Sequence, residues 1–130
     1  MKKVGVRDIL AKSLRFLTDA QNALERDRYD FAINRSYYSM FHSVQALLFT
    51  KSIQTRAYGK AHNAFNKKLV FTGEMSGDLG AILKKTFKKS QQADYSYAKM
   101  EKADAMEAFA NAEIFFCATV QYLIANNHLQ

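Results

Sequence analysis

The sequence predicts an all-α protein, an up-and-down bundle of four main helices plus one short helix. Apolar residues recur at three- and four-residue spacings over long stretches, which is the pattern of amphipathic helices. The chain contains no proline and only five glycines, so little interrupts those helices. Its 130 residues are 48% hydrophobic, which suits a sizeable core, and we predict a single domain over residues 1–130.

The first two helices are predicted within the first fifty residues. Helix one runs from about Val6 or Asp8 to Arg26. Asp30 is the predicted N-cap of helix two, because its carboxylate can accept a hydrogen bond from a free backbone N–H, and the helix continues to about Thr50. The predicted inward positions of helix two are Ile33, Tyr37, Met40, Phe41, Val44, Leu47 and Leu48.

The pattern breaks at residues 51–60, where Gly59 can supply a special backbone conformation. Beyond the break, Asp78 is a predicted helix cap. The remaining predicted helices cover residues 61–70, 79–91 and 101–126, with loops at 72–77 and 93–97. The predicted inward positions of the last helix include Met106, Phe109, Ala110, Phe116, Val120 and Leu123.

The formal net charge of +7 is unevenly distributed along the chain. Residues 51–90 contribute +7, residues 1–50 contribute +3 and residues 91–130 contribute −3. The basic middle is a candidate surface for a polyanion, or simply a set of solvated lysines. Within it, four lysines form two like-charge i,i+4 pairs that weaken an isolated helix, which favours a functional use as an RNA-binding face. These are Lys84, Lys85, Lys88 and Lys89.

Several classes of protein are disfavoured by the composition. The single Cys117 excludes an internal disulfide and is predicted to be a small core thiol. Three histidines and one cysteine match no zinc spacing, so we expect no metal and no cofactor, and His62 is expected to be exposed. The longest apolar run, residues 114–125, contains Gln121 and is too short to span a membrane. Since no signal-peptide core follows the basic start, we expect a cytoplasmic protein without membrane contact.

Helix two places an arginine and a histidine on one face. Arg35 and His42 are seven residues apart, and seven steps of about 100° return within roughly 20° of the start. The side chains beside this pair are aromatic or small rather than Lys and Glu, for example Phe31, Tyr38 and Ser39. We therefore expect the helix to be covered on both faces, with a second copy of the chain as the second cover. This predicts a homodimer with a shared cleft.

Residues 34–42, NRSYYSMFH, resemble the signature of the HEPN family, in which four to six residues separate an arginine from a histidine. The interval here is six, and the resemblance covers roughly residues 8–125, including Ala-Asp-Tyr at 93–95. It implies a helical-bundle dimer. For many relatives it also implies a metal-independent endoribonuclease that is the toxin of a toxin–antitoxin pair, with a small nucleotidyltransferase as antitoxin. The family's roles carry over onto Arg35 and His42, and less firmly onto Asn34.

Two positions depart from the pattern of the family. Some relatives carry a tyrosine two residues after the motif histidine, which the partner modifies with nucleotide, whereas this chain has Val44 there. Relatives often place an arginine three or four residues before Ala-Asp-Tyr, where this chain has Lys89 and Ser90. The resemblance therefore does not imply nucleotide modification at this site.

The residues themselves suit cleavage of RNA, whose own 2′-hydroxyl can attack the adjacent phosphate without a metal. His42 can act as base or acid, and Arg35 can hold phosphate oxygens with two hydrogen bonds. Two His42 side chains in a symmetric cleft would supply both base and acid. Asn34 is expected to orient Arg35, while Tyr38 either positions the substrate or packs.

Other interpretations of these residues remain open at this point. His42 can be a structural histidine that donates to a neighbouring carbonyl, and Arg35 can form an ion pair, for instance with Asp30. The alternative functions are a non-catalytic module that binds nucleotide or RNA, and an interaction bundle that holds a nucleotidyltransferase.

Overall fold

The computed structural model of the protein describes residues 3–129. Within that range the chain forms five α-helices and no strand. The helices are α1 (Val6–Glu25), α2 (Tyr29–Thr50), α3 (Tyr58–Phe65), α4 (Gly77–Tyr95) and α5 (Lys102–Ala125), and a π-helical segment, Asn66–Val70, continues α3. The predicted all-α bundle of four main helices and one short helix is therefore confirmed.

Helix α2 is the central element of the bundle, and it packs against the other four helices. All seven of its predicted inward side chains are buried, so the hydrophobic stripe is confirmed. Tyr37, Met40 and Leu47 are completely inaccessible to solvent. Because large side chains fill this face, it contacts α3, α4 and α5 and forms most of the core.

The opposite face of α2 is covered by α1 of the same chain. It presents small residues that allow close approach, and the buried Ser13 of α1 hydrogen-bonds across the contact. The Ser13 hydroxyl donates to the Ser39 carbonyl at 2.6 Å and lies 2.8 Å from the Ser43 hydroxyl. Helix α1 of the same chain therefore covers Ser39 and Ser43, where a second copy was expected. The homodimer itself stays a prediction, because Arg35 and His42 on this side of α2 are only half-buried.

Three helices end with a residue in the left-handed backbone region, at Asp27, Ser52 and Asn127. The N–H of the following residue then bonds back to a carbonyl in the last helical turn, which satisfies groups that a helix end leaves free. The donor–acceptor pairs are Arg28 to Ala23, Ile53 to Leu48 and His128 to Leu123. The special conformation after α2 thus lies at Ser52 with φ 60°, while Gly59 lies inside α3.

Two predicted helix starts differ from the structure. Helix α2 follows Arg28 as N-cap, so Asp30 lies in its first turn, where a negative charge still favours the helix dipole. Helix α4 is capped by Ser76, whose hydroxyl accepts from the backbone N–H of Asp78 at 3.2 Å. Helix α4 also continues to Tyr95, through the start of the predicted loop, because its last turn packs against α2.

The inward face of α5 is the least accurate part of the sequence prediction. Of the six predicted positions only Leu123 is buried, while Met106 is 51% exposed and Ala110 is exposed as well. Cys117 is exposed rather than a core thiol. Periodicity could not select a face because α5 is apolar on nearly every side. The buried residues of α5 are Ala105, Ala108, Ala112, Phe115, Thr119, Tyr122 and Leu123.

Helix α5 is also long and apolar enough to cross a membrane, judged by length and composition alone. This criterion is weak evidence, since a core helix of a soluble protein satisfies it too. In this bundle one side of α5 packs against α1, α2 and α4.

Candidate functional site

Arg35 and His42 of α2 both contact one phenyl ring, that of Phe16 on α1. The imidazole of His42 stacks on Phe16 with 5.2 Å between ring centroids and 6° between planes. The guanidinium carbon of Arg35 lies 5.3 Å from the centroid of the same ring. The structure therefore brings the two predicted residues together at the α1–α2 contact, where both are half-buried.

Phe16 is the member of this site that the sequence analysis missed. It lies seven residues after Ile9 and four before Ala20, so helical spacing places it on the inward face of α1. The spacing does not tell which side chain of α2 the ring meets. That contact depends on the crossing of the two helices.

Arg35 lies among aromatic rings and has no acidic partner among residues 3–129. Its guanidinium is 4.4 Å from the centroid of Phe31 and 6.0 Å from that of Tyr38, distances at which a cation and a ring attract. The buried Nε atom has no hydrogen-bond partner. The ion pair with Asp30 considered above is absent, so the charge of Arg35 is not neutralised within the described chain.

The surroundings of His42 favour its neutral form. Burial lowers the pKa of His42 to about 4, and the positive charges of Lys12 and Arg15 on α1 act in the same direction. Within the described residues the ring makes aromatic contacts with Phe16 and Phe41 and no hydrogen bond. A neutral imidazole with free ring nitrogens is able to accept a proton, which is what a general base must do.

Asn34 contacts α4 rather than Arg35. Its amide donates to both carboxylate oxygens of Asp94, at 3.0 and 3.2 Å. Asp94 belongs to the Ala-Asp-Tyr element, so this hydrogen bond joins that element to the motif helix. Asn34 thereby holds the end of α4 against α2.

Tyr38 lies between the site and α3. Its ring centroid is 5.7 Å from that of Phe16, and its hydroxyl accepts a long hydrogen bond of 3.4 Å from Tyr58. This hydrogen bond and burial raise the pKa of Tyr58 to about 12. Tyr38 therefore packs against the site and remains half-accessible to a ligand.

His62 is half-buried rather than exposed, which corrects the prediction. Its Nε2 atom lies 2.7 Å from the hydroxyl of the fully buried Tyr37. The ring of Phe87 packs edge-on against His62 at 5.1 Å, and burial lowers the pKa of His62. His62 is the hydrogen-bond partner of the hydroxyl group of Tyr37, which is the polar atom of that buried side chain, so the role of His62 is structural.

The four lysines of α4 divide into two pairs. Lys85 forms an ion pair with Glu107 at 3.0 Å, and Lys89 forms one with Asp104 at 3.2 Å. These contacts with α5 offset the repulsion between like charges along α4. Lys84 and Lys88 are exposed and have no acidic partner within the described part of the chain.

Metal ligands are not clustered in the region that the structure covers. Among residues 3–129 there is no group of three or more His, Cys, Asp or Glu side chains that could hold a metal ion.

The all-helical bundle and the Arg35–His42 pair on its central helix define the class of protein. The sequence profile of the HEPN domain matches residues 6–123, and the chain belongs to the HEPN family. The resemblance of residues 34–42 is therefore confirmed.

Particular relatives narrow this class. A protein of Methanocaldococcus jannaschii named "Putative toxin MJ0142" is 32% identical over 129 residues, which cover 98% of this chain and 88% of that protein. "Putative toxin MJ0605" of the same organism is 30% identical over 76% of this chain and 74% of its own length. A "UPF0332 protein" of Thermotoga maritima is 31% identical over 78% of each chain. The chain is thus a toxin-like HEPN protein.

Proposed function

We propose that this protein is a metal-independent endoribonuclease and the toxin of a toxin–antitoxin pair, acting on RNA in the cytosol. The observation that carries the proposal is the pairing of an un-neutralised guanidinium, Arg35, with a neutral imidazole, His42, on one phenyl ring. The names of two relatives support the role as a toxin.

In this mechanism His42 removes the proton from a 2′-hydroxyl, and the oxygen attacks the adjacent phosphorus. The bond to the 5′-oxygen breaks, and that oxygen takes a proton from an acid, which leaves a 2′,3′-cyclic phosphate and a 5′-hydroxyl. Arg35 neutralises the charge that grows on the phosphate oxygens. Tyr38 contacts the bound nucleotide from the side of the site, and Asn34 keeps α2 and α4 in position.

The acid is the missing part of this site in a single chain. We propose that a homodimer supplies it as the His42 of a second copy, whose pKa rises when a phosphate lies beside it. Light scattering then gives a particle of twice the 14.8 kDa chain mass in the active fraction. Full activity in a particle of one chain would contradict the shared cleft.

The antitoxin follows from the same proposal. A toxin-like HEPN protein has an antitoxin partner in general, and we propose a small nucleotidyltransferase for this one. Val44 leaves no hydroxyl for nucleotide transfer at that position. Inhibition therefore acts by binding or at another residue.

The first prediction concerns cleavage. The His42→Ala variant is expected to lose about 10²–10⁴-fold in the rate of RNA cleavage, because one positioned proton-transfer group contributes about that much. The Arg35→Ala variant is expected to lose about 10²–10³-fold, because it removes a fixed positive charge from the transition state. The assay follows a single-stranded RNA with chelator present and identifies the cyclic phosphate product. The exposed His128→Ala is the matched control and keeps the wild-type rate.

Two outcomes would overturn the assignment. Undiminished cleavage by a folded His42→Ala variant removes His42 from the mechanism. Binding of RNA or nucleotide by the wild-type protein without any cleavage supports the alternative, a non-catalytic binding module that uses the same residues.

A further inference from the structure

Helix α1 carries two cations beside the site that have no assigned role. Lys12 and Arg15 are exposed and three residues apart, so they share one side of α1 with Phe16. Their charges act on the ring of His42. Neither makes an ion pair with an acidic residue within residues 3–129, unlike Lys85 and Lys89 on α4.

These side chains line a shallow groove, which we call the α1 groove. It has a volume of about 520 Å³ and is lined by Ala11, Lys12, Leu14, Arg15, Phe16, Thr18 and Asp19. Phe16 lines this groove and also contacts Arg35 and His42, so the groove lies next to the site. Asp19 is the single carboxylate of the groove, and it lies one turn beyond Arg15.

We propose that the α1 groove, and not the lysine face of α4, binds the RNA phosphates that flank the cleaved bond. This inference rests on the proposed function, and it names where the substrate lies. Lys12 and Arg15 bind phosphates next to the one held by Arg35, while Asp19 repels the backbone and limits the groove at that end.

The charges of the two surfaces favour this choice. Lys12 and Arg15 of the α1 groove and Arg35 of the adjacent site are three cations without acidic partners in the described chain, and His42 contacts the same Phe16 ring as Arg35. On α4, Glu107 and Asp104 neutralise two of the four lysines. RNA binding gains free energy by releasing counterions from phosphates, and only an un-neutralised cation gives that full effect.

The second prediction compares two double variants that each remove two exposed positive charges. Lys12→Gln with Arg15→Gln is the test, and Lys84→Gln with Lys88→Gln is the matched control. The probe is a short fluorescent single-stranded RNA with 2′-O-methyl groups, which binds but cannot be cleaved. Fluorescence anisotropy at several salt concentrations measures the slope of log affinity against log salt.

We expect the salt dependence of binding to become shallower in the α1 variant, with the magnitude of the slope smaller by about 1.4. The variant loses two phosphate contacts, and each contact with single-stranded RNA contributes about 0.7 to that magnitude. With cleavable RNA the KM of this variant rises roughly tenfold at moderate salt. The α4 variant keeps the wild-type slope and KM. Thermal unfolding serves as the check on folding, and neither pair of exposed substitutions should shift it much.

The outcomes separate this inference from the proposed function. If cleavage depends on His42 but the α1 variant keeps the wild-type slope and KM, the proposal that RNA binds in the α1 groove is wrong. The proposed ribonuclease activity is then unaffected. If the magnitude of the slope decreases only in the α4 variant, the RNA binds at the lysines of α4, and the proposal of the α1 groove is wrong. If the wild-type protein binds the methylated RNA through Lys12 and Arg15 but does not cleave unmethylated RNA, the proposed ribonuclease activity is wrong. The assignment of RNA binding to the α1 groove is then retained.

Discussion

Phe16 determines how Arg35 and His42 are arranged, because both side chains rest against its ring. The ring also removes water from one side of the imidazole, and Lys12 and Arg15 approach from α1. His42 is therefore neutral near pH 7, since burial and the neighbouring cations both disfavour a further positive charge. The same cations would hold a phosphate. Burial at the α1–α2 contact, together with Lys12 and Arg15 of α1, thus keeps the histidine of the motif uncharged.

The third prediction concerns acid stability. Since the pKa of His42 is about 4 in the folded protein and 6.5 ordinarily, the unfolded chain binds more protons between these values, and stability falls as pH drops from 6.5 to 4. The charged groups that act on the pKa of His42 are Lys12 and Arg15, and Arg35 contacts the same Phe16 ring as His42 does.

The measurement is urea unfolding at several pH values in this window. In wild type the free energy of unfolding decreases between pH 6.5 and 4, and His42→Gln is expected to make this decrease smaller by about 1 kcal/mol. The figure is below the full effect of the pKa shift, because solvent screens a ring that is only half-buried. Part of the slope remains, because burial also lowers the pKa of His62. The exposed His128→Gln keeps the full slope, and an unchanged slope in His42→Gln would show that this ring does not titrate as described.

At the scale of the helices, packing decides features that local sequence leaves open. Helix α4 extends to Tyr95 because Asp94 accepts hydrogen bonds from Asn34. Helix α2 ends at Thr50 because the next residues turn back, with Ser52 in the left-handed region and Ile53 N–H bonded to the Leu48 carbonyl at 2.9 Å. Such a turn is most favourable with glycine.

The fourth prediction follows from this turn. Ser52→Gly should raise the free energy of unfolding by about 0.5–1 kcal/mol, because a residue with a Cβ is strained at φ 60° and glycine is not. Ser52→Ala keeps the strain and should give no such gain. Chemical denaturation of the three proteins tests this, and equal stability of the glycine and alanine variants would contradict it.

At the scale of the whole molecule, Glu74 joins distant parts of the chain. Its carboxylate accepts hydrogen bonds from Lys51 just after α2, at 2.8 and 3.0 Å, and from Tyr122 on α5 at 2.8 Å. Thr72 in the loop before α4 donates a further bond at 3.0 Å. The hydrogen bonds from Lys51, Tyr122 and Thr72 lower the pKa of Glu74 to about 2.

The fifth prediction concerns this connection. Glu74→Gln should destabilise the protein by about 1 kcal/mol at neutral pH, because a charged group that accepts hydrogen bonds from three side chains becomes neutral on a partly exposed surface. Since the folded pKa lies below the ordinary 4.5, the difference from wild type is present above pH 4.5 and disappears as pH falls towards 2.

Glu113→Gln is the matched control, because Glu113 is exposed on α5 and forms no ion pair within the described chain. It should leave the unfolding free energy within about 0.5 kcal/mol of wild type. A Glu74→Gln difference that persists at pH 2 would mean that the charge is not the cause.

Sequence alone determined the helical class, the central stripe of α2 and the family. These follow from local spacing: Ile33, Tyr37 and Leu47 recur at helical intervals, and the motif lies within nine consecutive residues. The same spacing gave the common face of Arg35 and His42. Helix α5 is apolar on nearly every side, so the spacing of its apolar residues does not indicate which side is buried. For this reason Met106 and Cys117 were predicted to be buried, whereas both are exposed.

Only the tertiary structure decided which chain segment covers α2, that Phe16 contacts both Arg35 and His42, and that Glu107 and Asp104 neutralise two lysines of α4. These contacts join residues that are far apart in the chain. They depend on how the helices cross and on which small side chains, such as Ser13 and Ser39, permit close approach. Helical periodicity tells which side of a helix is buried, but the partner of that side is determined by packing.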